Sequence, residues 1–220
     1  MELVLDNLAC RRGGRLIYRD LGFRVGAGQA AAVRGPNGVG KSTLLRQLGG
    51  LIPVVGGDAR LDDISLARDP VAFQERVAYA GHLDAVKPAL SVAENLDLWA
   101  GVHGAGPQRT DEALTRFGLA SIAGRPAAEC SAGQKRRLGL ARLIVIDRPL
   151  WLMDEPTVSL DVDAVALVAA LVREHVGKGG LALIATHVEI GLGDIPVLAM
   201  TPPAAEAHRA ADPFLAGAWS

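Results

Sequence analysis

The chain has 220 residues, half of them hydrophobic, and a formal net charge of −1. This length suits one domain, or one domain with a small subdomain. The charge offers no general attraction to nucleic acid, so no nucleic-acid partner is expected. The two cysteines, Cys10 and Cys130, have neither metal-ligand spacing nor a disulfide framework, which fits a reducing cytosol. Glu2 and Asp6 interrupt any leader-like apolar stretch, and no apolar run reaches the roughly 18 residues of a membrane span.

The N-terminal part of the chain is predicted to be rich in strands. Short strands are expected over residues 3–34, with turns at Gly13-Gly14 and Gly26-Ala27-Gly28. The elements expected next are a helix over 41–50 that ends at Gly49-Gly50, short strands and turns from Val54 to Ser65, and a buried strand over 76–80 that stops at Gly81-His82.

The remainder alternates helices with apolar strands. Ser91 and Glu94 form a capping-box pattern before a helix. The later predicted elements are a Gly-rich turn over 101–109, a short helix from Asp111 to Phe117, a helix opened by Ser131, a strand over 150–153, a helix from Asp161 to Val176 and a strand over 181–185. The pattern predicts a mostly parallel α/β sheet within a domain of residues 1–200. Residues 83–130 read as a helical subdomain within it, and residues 201–220 as a loosely held tail.

A phosphate-binding loop is the strongest motif. Gly35-Pro36-Asn37-Gly38-Val39-Gly40-Lys41-Ser42-Thr43 matches G-x-x-x-x-G-K-[ST] between a predicted strand and a predicted helix. Backbone N–H groups of such a loop surround phosphate oxygens, and the helix start adds partial positive charge. Lys41 is expected to reach the β- and γ-phosphates of ATP, and Ser42 to bind Mg²⁺. The alternative is an ordinary Gly-rich turn before a helix.

A second motif supplies carboxylates. Asp154 and Glu155 follow four apolar residues, as in a Walker B strand. Asp154 is expected to hold Mg²⁺ through water, and Glu155 to activate the attacking water. A surface acidic pair at a strand end is the alternative.

The stretch Cys130-Ser131-Ala132-Gly133-Gln134 resembles the LSGGQ signature of ATP-binding cassette (ABC) ATPases. Ser159-Leu160-Asp161 resembles the D-loop of that family, and Ala185-Thr186-His187 resembles its switch histidine. The resemblance implies a P-loop NTPase fold: a mostly parallel sheet, an N-terminal antiparallel β part and a small helical subdomain. It also implies a head-to-tail dimer in which Ser131, Gly133 and Gln134 contact the nucleotide of the opposite subunit. His187 would then position the attacking water.

Two positions depart from the family pattern. Arg12 replaces the usual aromatic residue that stacks on adenine. A guanidinium plane can also stack on a base, which keeps Arg12 as a nucleotide contact and leaves the choice between ATP and GTP open. His82 replaces the usual Q-loop glutamine. We interpret His82 first as a residue that senses the membrane partner and second as a metal ligand.

A narrower resemblance concerns the cargo. Gly81-His82 with Lys87, the stretch 152–161 and the ending 212–219 resemble ATP-binding subunits of the haem exporter in bacterial cytochrome c maturation. That implies a peripheral protein on the cytoplasmic face of the inner membrane. It would pair with a membrane-spanning subunit resembling CcmB, and act with CcmC, CcmD and the haem chaperone CcmE. Hydrolysis would drive haem export or release of haem-loaded CcmE. His103 and His208 are interpreted as surface residues.

Other functions remain open at this point. An ABC exporter for drugs, lipids or peptides would show the same motifs. A soluble ABC ATPase of DNA repair usually carries a long insertion between P-loop and signature, and no sustained heptads occur there. Translation-associated ABC proteins carry two cassettes, whereas this chain has one P-loop. A small-molecule kinase would lack the signature, and a relic P-loop module would not need Lys41, Asp154, Glu155 and His187. The basic clusters Arg11-Arg12 and Lys135-Arg136-Arg137 are interpreted as solvated faces.

Overall fold

The computed structural model describes residues 1–202, which form two β-sheets and six α-helices. The elements of the first part are β1 (Glu2–Arg12), β2 (Arg15–Gly26), β3 (Ala30–Arg34), α1 (Lys41–Leu48), β4 (Gly56–Leu61), β5 (Ile64–Ser65), α2 (Pro70–Gln74) and β6 (Val77–Ala80). They are followed by α3 (Val92–His103), α4 (Pro107–Arg116), α5 (Ala132–Ile146), β7 (Leu150–Asp154), α6 (Val162–Gly177), β8 (Leu181–Ala185) and β9 (Val197–Ala199). Short 3₁₀ turns cover Ala120–Ile122 and Ala127–Glu129.

The antiparallel sheet has the strand order β2-β1-β4-β5. Leu3 and Leu5 of β1 are buried, and so are Leu8 and Cys10. The register shifts between Leu5 and Leu8, where Asn7 has a positive φ of 48°. This irregularity restores the alternation, so apolar side chains stay on the core face along the whole strand. Strands β1 and β2 are 11 and 12 residues long. The prediction of short strands over 3–34 was therefore wrong for these two strands, whereas both Gly turns are confirmed.

The parallel sheet has the strand order β6-β7-β8-β3-β9. Every residue of β7 and β8 is buried, because helices cover both faces. Leu150 and Leu152 share a hydrophobic cluster with α1 and β1. Trp151 and Met153 point to the opposite cluster, which includes residues of α5 and α6. Helix α1 thus joins the cores of the two sheets and fixes the P-loop at their junction.

The segment between residues 83 and 130 contains α3, α4 and the two 3₁₀ turns, with no named strand. The predicted capping box of Ser91 and Glu94 is present at the start of α3. The prediction of a turn over 101–109 was too wide, since α3 runs to His103 and α4 begins at Pro107. Gly104, with a φ of 68°, ends α3 in a left-handed cap, and proline is well suited to the first helical position.

Two short elements were not predicted. Helix α2 is capped by Asp69, whose side chain accepts a hydrogen bond from the N–H of Ala72 at 3.0 Å. Strand β9 extends the parallel sheet beside β3. The expected tail lies outside the described residues except for Thr201 and Pro202, as do His208 and the ending 212–219. Within residues 1–202, no helix is both long and apolar enough to cross a bilayer.

Candidate nucleotide site

The P-loop, Asp154-Glu155 and His187 lie together at the carboxyl ends of three neighbouring strands, β3, β7 and β8. This edge is where open α/β sheets bind ligands. The hydroxyl of Ser42 donates to Asp154 Oδ1 at 2.9 Å across 112 residues of sequence. That contact brings the P-loop and the Walker B strand together.

The P-loop needs glycine at two positions for steric reasons. Gly35 has a φ of 152°, and a Cβ there would lie 2.4 Å from the carbonyl oxygen of Met200. Gly40 has a φ of 110°, and a Cβ there would lie 2.7 Å from Ile17 Cγ2. Met200, just after β9, and Ile17 in β2 therefore pack against the loop from two sides, and a side chain at Gly35 or Gly40 would disturb this packing.

The ammonium group of Lys41 is held across the loop. Lys41 is only 7% exposed, and its Nζ donates to the carbonyls of Gly35 at 2.9 Å and Pro36 at 3.1 Å. The first turn of α1 contains no acidic residue. The loop therefore combines a fixed cation with the positive end of a helix, which suits a polyphosphate.

Asp154 carries an incompletely satisfied carboxylate. It is 1% exposed, and its Oδ2 is buried without a hydrogen-bond partner among the described residues. Burial of an unpaired carboxylate oxygen is costly unless a cation or donor arrives. A carboxylate and a hydroxyl oxygen are ligands that Mg²⁺ favours. Asp154 and Ser42 therefore fit a magnesium site.

Glu155 and His187 form a pair at the mouth of this edge. His187 Nε2 lies 3.1 Å from Glu155 Oε1, with the histidine side chain 47% and the glutamate 17% exposed. Glu155 has a left-handed φ of 48°, and its N–H donates to the carbonyl of Ala185 at 2.8 Å. A left-handed non-glycine residue persists only where its surroundings fix it, so the direction of this carboxylate is set by the fold.

The signature turn is a self-contained helix start. Ser131 Oγ accepts from the N–H of Gln134 at 3.2 Å, and Gln134 Oε1 accepts from the N–H of Ser131 at 2.8 Å. A Cβ at Gly133 would lie 3.0 Å from the carbonyl of Ser159, so the turn lies against the predicted D-loop. Within residues 1–202, no hydrogen bond joins this turn to the P-loop. The fold assembles Ser42, Asp154, Glu155 and His187 and leaves the turn apart from them, with Ser131 and Ala132 exposed.

Arg12 and His82 both lie exposed at strand ends. Arg12 pairs with Arg15 across the β1–β2 hairpin, and the same hairpin packs Ile17 and Tyr18 against Gly40. His82 directly follows Gly81 after β6, and its ring makes no hydrogen bond within the described chain. The nucleotide role of Arg12 and the metal role of His82 stay predictions.

His82 lines a groove of about 410 Å³ beside the helical segment. Basic and aromatic or aliphatic side chains share its wall, among them Arg46, Leu51, Tyr79, Leu83, Trp99, His103 and Arg142. His103 is partly buried and stacks on Trp99, and the Arg142 guanidinium lies 5.2 Å from that ring's centroid. Burial lowers the pKa of Arg142 to about 10 and also lowers the pKa of His103. No lining residue is acidic in the described part of the chain.

One buried charged residue next to the site was missed. The interpretation of Lys135-Arg136-Arg137 as a solvated face was wrong for Arg136, which is 3% exposed. Its position in α5 carried a signal, because Gly133, Arg136, Leu140 and Leu143 share one helical face, and the two leucines are apolar. A cation on that face predicts burial with partners rather than solvation.

Comparison with known proteins assigns the family. Residues 18–158 match the ABC transporter family. The chain belongs to that family. Its relatives include proteins named cytochrome c biogenesis ATP-binding export protein CcmA. The one from Cereibacter sphaeroides is 47% identical over 97% of this chain and 95% of its own length. The one from Paracoccus denitrificans is 49% identical over 96% and 95%. The chain therefore also belongs to the CcmA group of ABC ATPases.

Solved structures of ABC ATPases agree with the fold. An ATP-binding subunit of an ABC transporter superposes with a TM-score of 0.78 at 26% identity, covering 86% of this chain and 80% of that one. A dimeric, post-hydrolysis ATP-binding cassette bound to ADP and Pi gives a TM-score of 0.77 at 22% identity, covering 90% and 94%. The predicted fold, a P-loop NTPase with a mostly parallel sheet, an antiparallel β part and helices, is confirmed.

Proposed function

We propose that this ABC ATPase hydrolyses ATP to drive haem export, or release of haem-loaded CcmE, in cytochrome c biogenesis. The observation that carries the catalytic part is the 2.9 Å bond between Ser42 and Asp154, with Glu155 and His187 directly beside it. The names of the CcmA relatives support the biological part.

The first step is nucleotide binding. The triphosphate would enter the loop from Gly35 to Thr43, where Lys41 exchanges its bonds to two loop carbonyls for phosphate oxygens. Arg12, at the tip of the hairpin that packs on Gly40, would stack on the base. Ser42 and Asp154 would hold Mg²⁺, which neutralises charge on the β- and γ-phosphates.

The second step is hydrolysis. Glu155 Oε1 accepts a hydrogen bond from His187 Nε2 when that nitrogen carries the proton, and this pair can orient a water between them and the γ-phosphate. When the nucleotide binds, His187 would turn its Nε2–H from Glu155 to an oxygen of the γ-phosphate, which leaves Glu155 Oε1 free to accept the water's proton. Because the fold fixes the backbone of Glu155, part of the orientation cost is met before the nucleotide arrives.

The third step needs a second copy. The exposed start of α5 at Ser131 has no acidic residue in its first turn, so it presents free positive helix charge to solvent. A head-to-tail dimer would place Ser131, Gly133 and Gln134 of one copy on the γ-phosphate of the other. In a Glu155→Gln variant, ATP should convert monomer to dimer on size-exclusion chromatography; a purely monomeric variant under saturating ATP would refute this arrangement.

Paired substitutions test the catalytic assignment. Lys41→Ala should abolish ATP binding and turnover, and Glu155→Gln should keep binding while turnover falls by roughly 10²–10³-fold. Lys178→Ala is the matched control, because this lysine is exposed and pairs with Glu174 on α6. Unchanged ATPase activity in both site variants would refute the assignment.

Asp154→Asn tests the magnesium site with two readouts of opposite sign. The substitution removes an incompletely paired buried carboxylate, so the nucleotide-free protein should melt at an equal or higher temperature. The extra stabilisation that MgATP gives over ATP with EDTA should disappear, and ATPase activity should be lost. A retained magnesium effect on melting would place the ion elsewhere.

The groove at His82 is proposed to receive a cytoplasmic segment of a membrane-spanning subunit resembling CcmB, acting with CcmC and CcmD. Its basic side chains, without an acidic one among the described lining residues, favour a partner segment with a carboxylate flanked by apolar residues. Leu83 is 78% exposed at the groove. Leu83→Asp should prevent co-purification with that subunit, whereas Val102→Asp, exposed outside the groove, should not. Association unaffected by Leu83→Asp would exclude this face.

The cargo is tested in cells. We propose that the protein lies at the cytoplasmic face of the inner membrane. Replacement of its gene by the Glu155→Gln form should remove haem-stained c-type cytochromes and spare b-type cytochromes. Normal c-type cytochromes in that strain would argue for a different cargo.

A further inference from the structure

Arg136 is a buried cation between the chain segments that carry the site residues. It lies two residues after Gln134 on α5, so it belongs to the helix that starts with the signature turn. Its guanidinium donates to five backbone carbonyls and one carboxylate, which makes it the hub between three segments of the described chain. We call this set the Arg136 hub; its acceptors are Gly81, His82, Asp84, Asp154, Glu155 and Pro156.

One side of the hub holds the catalytic strand end. Arg136 Nη2 donates to the carbonyls of Asp154 at 2.8 Å and Glu155 at 2.7 Å, and Nε donates to Pro156 at 3.3 Å. Glu155 is the residue with the left-handed φ of 48°. Hydrogen bonds on both sides of that residue oppose relaxation of its backbone, so they fix where its carboxylate points.

The other side of the hub holds the loop at the groove. Arg136 Nη1 donates to Gly81 at 2.9 Å, to His82 at 3.4 Å and to Asp84 Oδ1 at 2.8 Å. This loop lies directly on α5, because a Cβ at Gly139 would be within 3.0 Å of Asp84 backbone atoms. The Arg136 side chain of the signature helix is therefore hydrogen-bonded both to the end of the Walker B strand and to the His82 loop.

We infer that Arg136 is a positioning residue that sets the direction of Glu155 and ties it to the groove loop. The inference rests on the proposed ATPase role. A planar guanidinium can bond several carbonyls in fixed directions, whereas an ammonium cannot, so the geometry requires arginine. Movement of residues 81–84 in the groove would then reach Glu155 through one side chain rather than through the sheet.

The experiment compares ATPase kinetics and nucleotide binding in Arg136→Met, Arg136→Lys and Arg137→Met. Arg137 is the matched control, a neighbouring cation on α5 whose one hydrogen bond within residues 1–202 goes to the carbonyl of Phe117. We expect kcat to fall about 10–100-fold in Arg136→Met, because misplaced catalytic groups cost that much, and less in Arg136→Lys. KM and the affinity for a fluorescent ATP analogue should stay within about twofold, since the P-loop contacts are intact. Arg137→Met should behave as wild type.

Every outcome of these measurements either supports or contradicts the inference. A kcat loss in Arg136→Lys without a change in KM supports positioning even if Arg136→Met fails to fold. Asp84→Asn keeps the carbonyl contacts and weakens one acceptor, so its kcat should fall less than that of Arg136→Lys. A folded Arg136→Lys with wild-type kcat, or losses equal to those of Arg137→Met, would overturn the inference. An inactive wild-type protein would instead overturn the proposed function.

Discussion

Helices α3 and α5 begin with the same device and differ in charge. In α3, the N–H of Ser91 donates to Glu94 Oε2 at 2.7 Å; in α5, the N–H of Ser131 donates to Gln134 Oε1 at 2.8 Å. In each helix the serine hydroxyl accepts from the N–H three residues later at 3.2 Å. The hydrogen bonds are therefore equivalent, and only the net charge of the third helical residue differs.

That difference decides what each helix start can bind. Hydrogen bonds from the Ser91 N–H and hydroxyl region lower the pKa of Glu94, so α3 carries its own anion at its positive end. Helix α5 has no acidic residue in its first turn, so no side chain of that turn offsets its dipole. The capping box of α3 places a carboxylate at the helix start, which disfavours binding of another anion. The capping box of α5 holds the helix start rigid without such a charge, so an external phosphate can bind there.

The largest expected effect comes from adding a charge at the cap itself. Aspartate caps helices about as well as serine does, so Ser131→Asp should preserve the fold. It places a carboxylate where the partner copy's γ-phosphate is proposed to bind, and ATPase activity should fall by roughly 10²-fold or more. Steady-state ATPase and thermal melting measure the two quantities.

Ser91→Asp is the control for that substitution. It makes the same chemical change in the equivalent position of α3 and should leave ATPase activity near wild type. If Ser131→Asp kept full activity, or if both variants lost it equally, the two helix starts would not differ in function.

Much of this contrast could be predicted from sequence, because capping boxes are local. Ser-x-x-Glu at residue 91 and the turn at residue 131 each specify a helix start within four residues. The P-loop and the Asp154-Glu155 strand end were likewise predicted from short patterns. Their meeting through Ser42 depends on a sheet topology that pairs β3 with β8 and β8 with β7. The sequence and the family resemblance predicted a mostly parallel sheet, but not this order of strands.

The wrong or missing predictions mostly concern residues whose structure depends on contacts with distant segments of the chain. Helical spacing places Arg136 on the apolar face of α5, but its partners come from distant segments: the carbonyl of Gly81 after β6 and that of Asp154 in β7. Pro107 was placed in a turn because Gly101 to Gly106 is rich in glycine, although proline at that position starts α4. Strand β9 is three residues long and is defined by its pairing with β3 rather than by its own pattern.

A middle-sized effect is expected when α5 is given the charge of α3. Gln134→Glu keeps the capping box and adds a carboxylate at the helix start, where the side chain of residue 134 accepts from the Ser131 N–H at 2.8 Å. That hydrogen bond offsets part of the new charge, so the effect should be smaller than that of Ser131→Asp. We expect the helix to be equally or slightly more stable and ATPase activity to fall about tenfold, equivalent to about 1.4 kcal/mol of lost phosphate attraction. The ATP concentration for half-maximal turnover should rise, and higher salt should reduce the difference. Activity insensitive to this charge would contradict a phosphate at the start of α5.

The smallest expected effect is the reverse exchange, Glu94→Gln in α3, and it is visible only through pH. The folded pKa of Glu94 lies below the unfolded value near 4.5, so its contribution to stability is complete above that value. The contribution is lost as the pH falls through the folded pKa, because the unfolded chain then binds the proton more readily. Wild type should therefore melt slightly above Glu94→Gln at pH 7, and the gap should close as the pH drops below 4.5. ATPase activity at pH 7 should be the same in both. A gap that persisted at low pH would show that Glu94 stabilises α3 by packing, and the electrostatic distinction between the two helix starts would then fail on the α3 side.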